Sequence, residues 1–106
     1  MQARYCFEAG HAICDENSPC NYPHGHSWVL EVQLVNTIVA ENDHICKVLS
    51  EMIEQFFMNK WLNSTLNTTK PTLEFIVNWI RDHLRVHHIE PALITLYQSS
   101  TEQIQL

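Results

Sequence analysis

Cys20-Asn21-Tyr22-Pro23-His24-Gly25-His26-Ser27-Trp28-Val29-Leu30-Glu31-Val32-Gln33-Leu34 is the stretch on which the fold turns. From His24 onward it reads as a strand, and side chains in a strand alternate between two faces. Trp28, Leu30, Val32 and Leu34 therefore continue the face that His24 and His26 begin. Two imidazoles on one face are half of a metal site. Imidazole suits zinc, copper, iron or nickel, and a catalytic zinc commonly has three protein ligands with its fourth position left to water or substrate. The third is expected from Tyr5-Cys6-Phe7-Glu8-Ala9-Gly10-His11, which also reads as a strand, with Tyr5, Phe7, Ala9 and His11 on one face. The chain holds seven histidines, so this spacing is permissive by itself, and ordinary surface or core imidazoles also fit it. Cys20, four residues ahead of His24, reads either as a small buried apolar residue or as a thiol whose pKa a nearby metal lowers for proton transfer.

Outward from this stretch the chain alternates between two periodicities. The first strand is expected over 3–11, a polar loop over 12–23, and the second strand over 24–39. The outer face of the second strand mixes Val29, Glu31, Gln33 and Val35, which is neither a core nor a solvent face, so something is expected to cover it. Over 47–59, Val48, Leu49, Met52, Ile53, Phe56 and Phe57 recur every three to four residues and predict a helix. A second helix follows Pro71-Thr72, with Leu73, Ile76, Val77, Ile80 and Leu84 as its buried stripe and Glu74 as a first-turn carboxylate. Ile89-Glu90-Pro91 breaks the chain before a third strand over 92–97 and a short fourth near Ile104. The order strand, strand, helix, helix, strand, strand predicts an α+β domain: an antiparallel sheet with two helices on one face.

Size and charge narrow the function. One hundred and six residues make one domain, 1–106, with a modest core. Twelve acidic against six basic side chains give a net charge of −6 with no clustered Lys/Arg patch, so nucleic acid is not an expected partner. No stretch approaches the ~20 apolar residues of a membrane-spanning helix, and no signal-peptide pattern opens the chain, so a cytoplasmic protein is expected. Cys6, Cys14, Cys20 and Cys46 are then expected as thiols, without a disulfide.

Phe7-Glu8-Ala9-Gly10-His11, then Cys20-x-x-x-His24-Gly25-His26, then Pro71-Thr72-x-Glu74 resembles, in order and over nearly the whole chain, the 6-pyruvoyl-tetrahydropterin synthase / 6-carboxy-tetrahydropterin synthase family. The three residues between Cys20 and His24 resemble the 6-carboxy branch, which feeds queuosine synthesis. The resemblance implies a catalytic Zn2+ on His11, His24 and His26, with Cys20 as the proton-transfer residue. It also implies the tunnelling fold, in which sheets of several subunits join into a barrel as a homo-trimer or homo-hexamer with sites between subunits. The substrate implied is a small pterin, dihydroneopterin triphosphate.

Three departures stand beside these matches. Where the family carries an Asp-His pair before a Leu-Asn, counting back from Leu66-Asn67 gives Leu62 and Asn63, neither able to exchange protons near neutral pH. His44, or a group from another subunit, is the expected substitute. Ile45-Cys46-Lys47 stands near the place of an acidic Asp-Phe pair, with Asp43 out of register. The glutamate that anchors the pterin ring in the family appears here as Gln98, followed by Ser99, so Gln98 is the candidate substrate-binding residue. A zinc-dependent pterin-converting enzyme of the 6-carboxy type is thus expected. A zinc-binding relative acting on a different heterocycle, and a catalytically silent binding or structural paralogue, remain as alternatives.

Overall fold

Strands β1 (Gln2–His11) and β2 (His24–Gln33) run antiparallel over their whole length, from Gln2 opposite Gln33 to His11 opposite His24. They form the centre of a computed structural model that describes residues 2–11, 24–34, 39–98 and 102–105. The remaining elements are α1 (Val39–Met52), continued by one π-helical turn Ile53–Phe57, then β3 (Lys60–Trp61), α2 (Leu62–Thr65), α3 (Leu73–Val86), β4 (Leu93–Gln98) and β5 (Glu102–Gln105). The sheet order is β3-β1-β2-β4-β5, antiparallel except where Ala9 and Gly10 of β1 pair in parallel with Lys60 and Trp61.

One face of the sheet carries the core. Ala3, Phe7, Ala9, Trp28, Leu30, Val32, Ile94 and Leu96 are buried, at alternate positions along their strands. They share one cluster with Leu49, Met52, Ile53 and Phe57 from the first helical segment and Ile76, Val77, Ile80 and Leu84 from α3, which sets the helices against this face. Fully burying one such side chain stabilises the fold by roughly 1.5–3 kcal/mol relative to exposure. The opposite face carries an Arg4–Glu31 contact at 3.7 Å and a hydrogen bond from Ser27 Oγ to Glu8 (2.8 Å). Val29 and Glu31 are half-buried there and Gln33 is exposed, so the mixed character expected for this face holds.

Pro71-Thr72 starts α3 as expected. The Thr72 hydroxyl accepts from the Phe75 amide at 3.1 Å, satisfying one of the free donors of the first turn. The helix ends where His88 takes φ 62° and the Ile89 amide bonds back to the Leu84 carbonyl (2.9 Å). Buried Ile89 then pins the chain before β4.

The region between β2 and α3 differs from expectation. The second strand ends at Gln33 rather than near 39, and α1 begins at Val39 rather than 47. The physical reason is the composition of the added turns. Glu41, Asp43, His44 and Cys46 are exposed and Ile45 is the first buried side chain described, so no apolar period marks the helix before it. At its other end the Met58 amide bonds to the Ile53 carbonyl (2.7 Å), closing the wider π turn, and Asn59 takes φ 56°. Strand β3 and helix α2 were not expected at all, since two and four residues are too few to show a period.

Candidate functional site

His11 ends β1 with its ring buried. Its Nδ1 lies 2.9 Å from the carbonyl oxygen of Pro71, immediately ahead of α3. A carbonyl only accepts, so Nδ1–H donates and the lone pair sits on Nε2. A second atom meets that lone pair: the side-chain amide nitrogen of Gln98, at 3.3 Å and itself buried, donates to Nε2. Gln98 is the last residue of β4 and stands opposite Trp28.

His26 lies diagonally across from His11, since its direct partner is Ala9. It is half-buried, with its Nε2 atom withdrawn from solvent. The two imidazole centroids are 5.6 Å apart with planes at 73°. Trp28 lies edge-on to both, 5.1 Å from His11 and 6.0 Å from His26, and its indole N–H donates to the Ala9 carbonyl at 3.0 Å. The indole thereby fixes an apolar wall beside the pair of rings.

The spacing of the two rings is that of imidazoles able to share one zinc ion. Nitrogens ~2.0–2.1 Å from a tetrahedral zinc place two imidazole centroids roughly 5 Å apart, close to the spacing found. The Nδ1–H donation to a backbone carbonyl is also the outer contact that typically orients a metal-binding histidine. The backbone sets His24 opposite His11. The side chain of His24 and all of Cys20 lie outside the described residues. Among the described residues no group of three His, Cys, Asp or Glu side chains gathers around one point.

Beside His26 an open recess is lined by Glu8, Gly10, Gly25, Asn59 and Lys60. A Cβ at Gly25 would meet nothing within 4 Å, so this glycine leaves the recess wide without being required by packing. Asn59 enters because its amide donates to the Glu8 carbonyl (2.7 Å) at the point where the π turn ends. Sequence reasoning missed Asn59 and Lys60. The available signal was an asparagine closing an apolar helical run, since asparagine tolerates the left-handed conformation.

Other expectations sort by position. Leu62 is fully buried in the core, out of reach of any bound molecule, and so carries no acid–base role. His44 does not reach the site within one chain: its Nε2 is 3.3 Å from the His87 carbonyl, at the far end of α3 from Pro71 and about 20 Å of helix away. Ile45 is buried and Cys46 and Lys47 are exposed on α1. Cys6 and Cys46 are free thiols, while Cys14 lies outside the described residues. His83 and His87 join an aromatic group at the other end of α3. His83 stacks on Trp79 (5.1 Å, 9°), and His87 lies 4.9 Å from His83.

The sequence model described as 6-pyruvoyl tetrahydropterin synthase matches residues 1–105. The chain belongs to this family. Its fold is that of the family too: 6-pyruvoyl tetrahydropterin synthase from Caenorhabditis elegans superposes with a TM-score of 0.77 at 17% identity, over 100% of this chain and 92% of that one. An uncharacterized protein from Wolinella succinogenes gives 0.69 at 12% identity, over 100% and 96%. No curated protein matches the sequence. No helix among the described residues is long and apolar enough to cross a membrane.

Proposed function

We propose that the chain is a zinc-dependent pterin-converting enzyme of the 6-carboxy-tetrahydropterin synthase type, with dihydroneopterin triphosphate as substrate. The observation that carries this is the His11–His26 pair, 5.6 Å apart, with buried His11 held by the Pro71 carbonyl in the tautomer that offers Nε2. His24, opposite His11, is the third ligand. Zinc held by these histidines would supply Lewis-acid polarisation of side-chain hydroxyls of the substrate. The residues of the chain do the rest: His11, His24 and His26 orient, the Trp28 wall excludes water from one side, and Cys20 moves the proton. The free thiols Cys6 and Cys46 suit a cytoplasmic setting. The short outer strands β3 and β5 leave edges that a homo-trimer or homo-hexamer would cover by pairing. The test is to incubate zinc-loaded protein with dihydroneopterin triphosphate and weigh the product. A carboxy-pterin supports the reading, and a pyruvoyl-pterin or unchanged substrate contradicts it.

Gln98 favours a second reading, a relative that takes a different heterocycle. A pterin offers a ring N–H beside an exocyclic amine, two donors that a carboxylate accepts together, whereas an amide supplies one acceptor and one donor. Leaving one donor unmatched in a buried pocket costs ~1–3 kcal/mol, or about tenfold to a hundredfold in affinity. Calorimetry with neopterin should therefore show weak binding to the parent and tighter binding to Gln98→Glu. Equal affinities would remove Gln98 as the ring anchor.

A further inference from the structure

The metal-facing nitrogen of His11 is already in use. With Nδ1–H committed to the Pro71 carbonyl at 2.9 Å, Nε2 is an acceptor, and the Gln98 amide donates to it at 3.3 Å. A metal ion on Nε2 and an N–H donor to Nε2 use the same lone pair and exclude each other. The contact spans β1 and β4, which are not neighbours in the sheet, and both side chains are almost fully buried, His11 at 3% and Gln98 at 6% exposure. Water is therefore a poor substitute partner for either.

We propose that Gln98 is a metal-gated latch: its amide holds Nε2 of His11 until a metal takes that nitrogen, and is then released to bind the edge of a heterocycle. The inference rests on the zinc site proposed above and deepens it by linking metal to ligand. A released amide this deeply buried lacks a partner, and a bound ring edge with an acceptor gives it one. Metal and heterocycle thus bind with positive coupling, and each tightens the other by the same factor. Glutamine permits this arrangement because its amide donates to a neutral imidazole. A carboxylate at position 98 has no proton to donate, so the latch belongs to this chain's glutamine.

Three measurements test the latch. Zinc affinity, read by competition with a chromophoric chelator, should tighten several-fold to about tenfold in Gln98→Leu, since one competing hydrogen bond is gone. Neopterin should raise the parent's zinc affinity, and zinc should raise its neopterin affinity equally; in Gln98→Leu this coupling should vanish. In the parent alone, the side-chain amide resonances of Gln98 should shift when zinc is added, which keeps the test independent of whether the variant folds. If the parent binds zinc while Gln98→Leu has the same zinc affinity, or the Gln98 amide does not move, the latch is wrong and the zinc site stands. If the parent binds no zinc, both fall together.

Discussion

Two histidine-bearing regions of this molecule look alike in sequence and differ in what surrounds them. At one end of α3, His11 and His26 flank Trp28. His11 is buried, one nitrogen is tied to a backbone carbonyl, and the other nitrogen faces a second buried polar group. At the other end, His83 and His87 sit one helical turn apart beside Trp79, at the surface, held by ring contacts. A histidine in strong contact with an indole is thus no sign of a site. What separates the two regions is that strand pairing and a helix start fix the tautomer and bury the second ring nitrogen against Gln98 in the first, whereas in the second His83 is half-buried and His87 exposed.

The largest difference should appear when each indole is removed. Trp28 is fully buried and walls the His11–His26 pair, so Trp28→Ala should cost about 3–5 kcal/mol in urea unfolding. Trp79 is half-buried, and Trp79→Ala should cost less than half as much, because far less apolar area leaves contact. Comparable losses would mean that the two regions are equally part of the core, and the contrast would fail.

A smaller effect is expected at the start of α3. The Thr72 cap fixes the first turn next to the Pro71 carbonyl that holds His11. Thr72→Ala should destabilise by ~1 kcal/mol and weaken zinc binding several-fold, less than the loss of an outer contact itself, because the Pro71 carbonyl remains. The His83–Trp79 stack, on the third turn of the helix, should be unaffected, as read from Trp79 fluorescence quenching. Weakened stability without any change in zinc affinity would disconnect Pro71 from the site.

Much of this comparison was legible in the sequence, and the reasons are local. Apolar alternation through Phe7, Ala9, Trp28, Leu30 and Val32 showed the paired strands, and Pro71-Thr72 followed by Ile76, Val77, Ile80 and Leu84 showed α3. The first half of α1 was illegible because its described exposed positions, Glu41, Asp43 and His44, precede the first buried residue, Ile45. At the site, His11 and His26 were legible as strand residues on one face. The Gln98–His11 contact was not, since 87 residues separate the partners and only the sheet order brings them together. Asn59 and Lys60 were hidden for the same reason, being delivered to the recess by a two-residue strand.

The smallest effect concerns pH. Burial, and then the neighbouring His87, hold the His83 pKa below its usual 6.5. The unfolded chain therefore takes up a proton first as pH falls. Stability should be full above 6.5, decline as pH drops from 6.5 through the folded value, and level off below it. His83→Gln should flatten this slope in Tm measured against pH, and an unchanged slope would show that His83 titrates alike in the folded and unfolded chain.

Metal analysis addresses the central claim most directly. After loading with zinc and removal of the excess, the parent should retain about one zinc per chain, because three histidine ligands make one mononuclear site. His26→Ala should fall to background while His83→Ala keeps the parent's content. Full occupancy in His26→Ala, or no zinc in the parent, would contradict the assignment of His11, His24 and His26.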